Sequence, residues 1–393
     1  MERQIQVLQI LGGARNLNGI ASYIYQQYKF IDKKKVRYDF FFTRENSLES
    51  VKDDPIFKSS NMYVLGAVAG KTKSNDYISI IINLRKYLKK KRYDVVVVNS
   101  SVIELGMACW IATLGLVKNA FIVHAHNAGL FIKDGAKRKK FKIIAEIVDG
   151  VSKVIIRKTA TYLFGCSKDA GAVTFGKKVL NQNNFFVIRN AIDIEKFTPK
   201  QSIREAIRIR AGVEESTLVV GNVGSLIPLK NYEFLIKVFY ELHKQVEDSA
   251  LWIVGDGPEK LNLERMAQEL SLSENVVFWG ARTDVNEIMQ GMDAFVFTSK
   301  SEGLGIVAIE AQAAGLYTTI SDGVPDDVLI TKIIQKLPLA QGSEIWAEKI
   351  INQLGNDKRK RDVSDDIRKA GYDIKIATAN MTDFYIRHFA NRN

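Results

Sequence analysis

The residues most able to do chemistry stand in one stretch, Ser299-Lys300-Ser301-Glu302-Gly303-Leu304-Gly305-Ile306-Val307-Ala308-Ile309-Glu310-Ala311. An ionised carboxylate accepts strongly from paired hydroxyls, so Glu302 and Glu310 suit a sugar. Gly303 and Gly305 leave room for a ligand to approach the backbone. The helix that starts there offers N–H donors to phosphate. Eight residues advance a helix by about 800°, roughly 80° beyond two turns. Glu302 precedes the helix proper, so both carboxylates can reach one mouth. Two surface glutamates would give the same spacing. However, Glu310 is followed by Ala-Gln-Ala-Ala-Gly, the small-residue face of a packed helix. A charge embedded there is costly without a partner.

Three further loops follow apolar runs. Gly224-Ser225-Leu226-Ile227-Pro228-Leu229-Lys230-Asn231 places a lysine where it could meet a diphosphate as a point charge. A surface lysine before a helix cap fits that loop equally well. Gly12-Gly13, with Gly19 opening a helix, is a glycine-rich strand-to-helix turn. It suits phosphate but lacks the G-x-G-x-x-G spacing, and a plain tight turn fits as well. Gly255-Asp256-Gly257-Pro258 reads as structural, with Pro258 in a first helical turn.

These loops need a scaffold. Short β-rich runs at 5–11, 36–43, 61–65, 93–99, 120–125, 161–166 and 185–189 alternate with helical patterns such as 76–91 and 136–160. The rhythm returns with strands at 218–223, 250–254, 276–279, 293–298 and 316–320, and helices at 231–247, 258–270, 284–290 and 304–314. Helical patterns at 343–354 and 373–390 end the chain. Continuous apolar strands alternating with helices imply parallel sheets covered on both faces. The expected architecture is α/β, with two Rossmann-like domains facing across a cleft. Residues 1–195 form the first domain and 196–372 the second, and a helix over 373–393 packs back on the first. The periodicity breaks around 190–202. Ligands bind such sheets at the carboxyl ends of their strands.

Composition narrows the function classes. The chain has 393 residues, 46% of them hydrophobic, and 25% charged, which disfavours disorder. Two cysteines, Cys109 and Cys166, argue for a reducing compartment over a disulfide scaffold. No Cys/His cluster has zinc spacing. The apolar run 102–117 contains Glu104 and is too short to span a membrane, so a buried helix is expected. The N-terminus reads as a strand and not a signal peptide. A cytoplasmic protein is expected.

The net charge of +12 is uneven. Residues 1–190 contain 32 Lys/Arg against 14 Asp/Glu, and the remainder 24 against 30. Basic runs occur at Lys33–Lys35, Lys89–Arg92 and Lys137–Lys140. An anionic membrane surface, at the inner face, fits this half. Lysines that only cap helices and confer solubility fit too. Nucleic acid fits less well, because aromatics are not interleaved with the basic runs.

Together these motifs resemble the family 4 retaining glycosyltransferases of the GT-B fold. The resemblance rests on SEGLGIVAIEAQAAGL (301–316), VIRNAIDIEKF (187–197), FGCSKDAGAVTFGKKV (164–179), GNVGSLIPLKNYEFLIKVF (221–239), LWIVGDGPEK (251–260) and VVFWGARTDVNEIMQGMDAFVFTS (276–299). It covers almost the whole chain and is closest to the branch that builds bacterial capsular polysaccharide and exopolysaccharide. It implies transfer of a sugar, with retention, from a nucleotide-diphosphate sugar, UDP before GDP, to a glycan or lipid-linked acceptor.

The resemblance also implies site roles. Glu310 would hold the ribose hydroxyls and Glu302 the donor sugar. Lys230 and the backbone of Gly303, Leu304, Gly305 and Ile306 would hold the diphosphate. Gly13, Gly224 and Ser225 would line the donor, and Gly280–Arg282, with the Arg282 side chain, would flank the base. His126, in the HAH sequence, would support the reacting face, whereas His124 reads as a satisfied strand-end histidine. The absence of D-x-D suits a metal-independent site with no cofactor. Ser225 stands where the family usually has arginine, Tyr317 where it usually has proline, and NGIAS (18–22) where relatives often have two glycines. The rival functions are a nucleotide-sugar epimerase on the same architecture and a basic nucleic-acid-binding protein.

Overall fold

The structure, a computed structural model, describes residues 3–11, 19–43, 60–65, 77–100, 102–117, 120–126, 139–355 and 361–390. Gly12, Gly13, Lys137 and Arg138 lie outside them. The chain divides into two compact units. One is Met1–Ala191 with Ile374–Asn393, and the other is Ile192–Asp373.

The first unit holds a seven-stranded parallel sheet. Its strands are β1 (Ile5–Leu11), β2 (Val36–Phe42), β3 (Met62–Val64), β4 (Val95–Ser100), β5 (Ala120–Ala125), β6 (Tyr162–Gly165) and β7 (Phe185–Val187), in the order β3-β2-β1-β4-β5-β6-β7. Successive residues of a strand point to opposite faces, and both faces are apolar. Val7, Tyr38, Phe40 and Val97 pack on one side with helices α1 (Gly19–Phe30) and α14 (Ile374–Phe389). Leu8, Ile10, Val96 and Val98 pack on the other with α2 (Tyr77–Lys90) and α3 (Ile103–Thr113). Helix α3 buries Ile103, Leu105, Ala108, Cys109 and Ala112, so the apolar run 102–117 is spent on the core. Helices α4 (Lys139–Thr159) and α5 (Lys168–Phe175) complete the layer. Among the described residues no helix is long and apolar enough to cross a membrane.

The second unit repeats the plan with six parallel strands. These are β8 (Leu218–Val223), β9 (Ser249–Val254), β10 (Val276–Gly280), β11 (Ala294–Phe297), β12 (Tyr317–Ser321) and β13 (Ile334–Leu337), in the order β10-β9-β8-β11-β12-β13. The order reverses beside β8, so loops after β8 and β11 diverge from neighbouring strands, where open sheets bind ligands. Val220, Leu251, Ile253 and Val296 meet α8 (Tyr232–His243), α9 (Lys260–Glu269) and α12 (Ser343–Leu354), with Trp346 fully buried.

Elements absent from the sequence reading have visible causes. The stretch that breaks periodicity is immediately followed by α7 (Gln201–Ala211), after a short α6 (Ile194–Phe197). Helix α7 hides its inner face because two of the buried residues are Arg204 and Arg208. Both guanidinium groups reach the buried carboxylate of Asp293, Arg204 at 2.8 Å and Arg208 at 3.4 Å. That carboxylate also accepts from the Val219 amide at 2.8 Å. Charge pairing replaces the apolar stripe. Strand β13 is a half-buried edge strand, and α13 (Ser364–Lys369) is six mostly polar residues. Neither gives a hydrophobic period.

Candidate functional site

In the second unit, loops after β8, β9 and β11 are tied together by their backbones. Gly224 donates to Val254 at 2.9 Å, and Leu226 to Asp256 at 3.0 Å. Gly255 has φ +142°, and a side chain there would strike the Gly224 carbonyl. The Gly255–Pro258 loop is therefore the floor on which the Gly224–Asn231 loop rests. On its other side, the Lys300 amide donates to the Leu229 carbonyl at 2.9 Å. Thr298 Oγ1 donates to the carbonyls of Lys230 and Asn231, and Ser299 Oγ to that of Leu229. Thr298 and Ser299 fix the lysine loop, a role without any sequence signal beyond their hydroxyls.

This frame brings Lys230 to Glu302. Lys230 Nζ donates to Glu302 Oε1 at 2.5 Å, and the ammonium lies 5.0 Å from the centre of the Phe297 ring. Both side chains are mostly but not wholly shielded, at 20% and 13% exposure, which leaves the pair reachable. Below it, Tyr232 donates to the Gly224 carbonyl at 3.0 Å. Burial, then the nearby Glu302 charge, pushes the Tyr232 phenol far up, so it stays protonated.

Glu302 leads directly into α11 (Ile306–Ala313). Gly303, Leu304 and Gly305 are buried, and Ile306 is half-buried. Gly305 caps the helix in the left-handed conformation, φ +79°. A Cβ there would press on Phe297 and Val324, each 3.1 Å away. The first turn of any α-helix leaves amide donors without intrahelical partners. Those donors begin one residue after Gly305, beside the Lys230–Glu302 pair.

Glu310 sits further along α11. Its carboxyl has no hydrogen-bond partner among the described residues. Burial pushes its pKa up to about 7. A group held half-charged near neutrality gains from donors that a ligand brings.

Ser225 is exposed and Gly224 half-buried at the start of the lysine loop. Arg282 stands apart from the Lys230–Glu302 pair. It is exposed after β10 and forms a bidentate pair with Asp284, Nε to Oδ1 at 2.8 Å and Nη2 to Oδ2 at 2.7 Å. Arg210 joins that carboxylate at 3.1 Å. The Arg282 bond, chiefly, holds Asp284 down near pKa 2. Gly13 lies outside the described residues.

In the first unit, His126 follows β5 and is buried. Its Nε2 faces Asn99 Oδ1 at 3.1 Å, and its Nδ1 faces Asn190 Oδ1 at 3.2 Å. Burial takes its pKa down to about 3, against a smaller opposing effect of Asn190, so the ring is neutral. His124 lies against it, ring centres 3.8 Å apart. Burial, then His126, lowers His124 strongly, and a backbone bond at Ile188 opposes them. The reading of His124 as satisfied needs correction, since its Nε2 is buried without a hydrogen-bond partner. The edge of Tyr23 closes over both rings.

Residues 203–370 match the model of the family described as glycosyl transferases group 1. The match spans most of the second unit. Over nearly its whole length the chain is 27% identical to EpsF of Bacillus subtilis (strain 168), a protein named as a glycosyltransferase. That match covers 97% of this chain and 96% of EpsF. It is 25% identical to the UDP-Gal:alpha-D-GlcNAc-diphosphoundecaprenol alpha-1,3-galactosyltransferase of Escherichia coli, with 79% and 80% of the two chains covered. Among solved structures, it resembles Anabaena Alr3699/HepE in complex with UDP and glucose, with a TM-score of 0.74 at 16% identity. That likeness covers 97% of this chain and 99% of HepE. The sucrose-phosphate synthase of Thermosynechococcus elongatus gives 0.78 at 18% identity, over 99% and 100%. The fold is the two-domain α/β GT-B fold.

Proposed function

We propose that this chain is a glycosyltransferase that moves a sugar from a UDP-sugar, with retention at the anomeric carbon, to a glycan or lipid-linked acceptor in bacterial surface polysaccharide synthesis. The observation that carries the reading is the Lys230–Glu302 pair at the start of α11, with Glu310 unpaired on the same helix. The Escherichia coli relative, whose name gives UDP-Gal and a diphosphoundecaprenol acceptor, supports the donor and acceptor classes. The HepE complex with UDP and glucose supports the nucleotide.

In this reading Glu310 accepts from the ribose hydroxyls and Glu302 from a hydroxyl of the donor sugar. Lys230 Nζ turns from Glu302 toward the diphosphate, joined by amides of Gly303 to Ile306. As the sugar–oxygen bond breaks, negative charge grows on the leaving diphosphate. A preorganised ammonium and helix-start dipoles stabilise that charge without a metal ion. With Ser225 in place of the family's arginine, the demand on Lys230 is larger. Gly224 and Ser225 line the donor, and Gly280–Arg282 flanks the base. A cytoplasmic location, with the basic first half near an anionic membrane, belongs to the same reading. Cys109 and Cys166 are both buried and form no disulfide, which supports the reducing compartment.

The test is UDP release from UDP-galactose, UDP-glucose and UDP-N-acetylglucosamine, with undecaprenyl-diphosphate-linked saccharides as acceptors, with and without EDTA. One donor should be turned over, with a product of retained configuration and a rate insensitive to chelator. Release of free sugar without transfer to any acceptor would contradict the transferase reading in this form.

A further inference from the structure

The polar cluster around His126 is closed by amides. Gln9, on β1, lies beside the phenols of Tyr38 and of Tyr385 on α14, and the Tyr38 hydroxyl donates to Gln27 Oε1 at 2.9 Å. Gln9 Oε1 accepts from Asn99 Nδ2 at 2.8 Å. Asn99 Nδ2 is thereby committed, with a second, longer contact to the Ile10 carbonyl at 3.4 Å. Asn99 Oδ1 must then be the atom facing His126 Nε2. An amide oxygen only accepts, so Nε2 has the proton.

A neutral imidazole has one N–H. Nδ1 is therefore a lone pair, and two acceptors cannot face each other at 3.2 Å. An amide's oxygen and nitrogen exchange places by a half-turn of the side chain. Turned so, Asn190 donates from Nδ2 to Nδ1 and both ring nitrogens are satisfied. The titratable rings against His126 are His124 on β5 and Tyr23 on α1. Asn190 belongs to the VIRNAIDIEKF segment, and Asn99, Gln9 and Tyr385 come from β4, β1 and α14.

We infer that Asn99 and Asn190 are positioning residues for the transfer reaction: they hold the His126 ring in one orientation and as the Nε2–H tautomer. The inference rests on the reading of His126 as a group supporting the reacting face. It removes His126 from proton transfer, since neither nitrogen is free to exchange a proton with substrate. What the ring supplies is a fixed, uncharged wall. Gln9, on β1, anchors Asn99 in turn.

The test uses the full chain with nitrogen-15-labelled histidine. Only four histidines are present, so single substitutions assign the signals. Wild type should show a protonated Nε2 and a lone-pair Nδ1 at His126 from pH 5.5 to 8. Asn99→Ala and Asn190→Ala should mix the tautomers and lower kcat for UDP release from the best UDP-sugar by up to about 100-fold, with the donor KM little changed. Asn99→Asp keeps the packing and guards against misfolding of the alanine variants. Its carboxylate should raise the His126 pKa, and activity should then fall with acid in a way wild type does not show. An Nδ1–H tautomer in wild type, or an unchanged tautomer in both alanine variants, would overturn the inference. So would mixed tautomers with unchanged kcat. If His126→Ala itself retains wild-type kcat, the reading of His126 has failed, whatever the tautomer proves to be.

Discussion

The two units bury polar chemistry in opposite ways. Around His126 each ring nitrogen has an amide partner, the ring is uncharged, and the amides are themselves anchored. In the second unit Lys230 and Glu302 share one ion pair at partial exposure, and Glu310 is half-buried with no hydrogen-bond partner among the described residues. A buried group that is fully partnered has nothing left to offer a ligand, but it holds a shape. A buried group short of partners pays for desolvation until a ligand arrives. On the proposed reading, binding capacity belongs to α11 and its neighbouring loops, and positioning to the residues around His126.

The largest expected break of that contrast is Lys230→Ala. It deletes the cation meant for the leaving diphosphate and strands Glu302 without its partner. Turnover should fall by about 10²–10³, as for loss of one transition-state donor. Steady-state UDP release measures it, and a fall in KM alone would argue that Lys230 does not touch the diphosphate. Glu310→Ala comes next. Two hydrogen bonds to a charged acceptor are worth about 3 kcal/mol together, so UDP affinity should drop on the order of 100-fold by calorimetry.

Glu310→Gln sharpens the comparison through pH. The wild-type carboxyl titrates at about 7 when folded and near 4.5 when unfolded. Between those values the native chain holds a proton that the unfolded chain has lost. Stability of the ligand-free protein should therefore decline as pH rises from about 4.5 to 7. UDP affinity should rise over the upper part of that window, because the charged form accepts better. Glu310→Gln should flatten both trends, and the ligand-free variant should melt above wild type at pH 8. Parallel melting curves at every pH would contradict the burial argument.

Gly305→Ala should cost about 1–2 kcal/mol, since an alanine is strained in the left-handed region and its Cβ meets Phe297 and Val324. Denaturant unfolding checks this. The smallest change is expected at Arg282→Ala, where an exposed pair with Asp284 is lost and Arg210 remains on the same carboxylate. A large loss of UDP binding there would show that the Arg282 side chain itself contacts the base.

Much of the scaffold was legible because parallel strands buried on both faces write continuous apolar runs. Val95–Val98 and Phe295–Phe297 are examples. Helix α7 was not, because its buried arginines answer Asp293, a partner 85 or more positions away. At the site, spacing pointed to Glu302 and Glu310, and a loop to Lys230. Spacing could not show that Lys230 and Glu302 bond one another, since they lie 72 positions apart. Nor could it show Asn99 and Asn190, single asparagines made meaningful only by β4 and the segment after β7 meeting His126. Nor could it show that the Arg282 guanidinium pairs with Asp284, two residues on.

The most direct test of a nucleotide site on α11 is thermal unfolding of wild type and Glu310→Ala with UDP, GDP and ADP. At about 100 times its dissociation constant, the correct nucleotide should stabilise wild type by roughly 2.7 kcal/mol. UDP is expected to do so, and the same concentration should leave Glu310→Ala nearly unshifted. An equal shift in the variant, or none with any of the three nucleotides, would contradict the assignment.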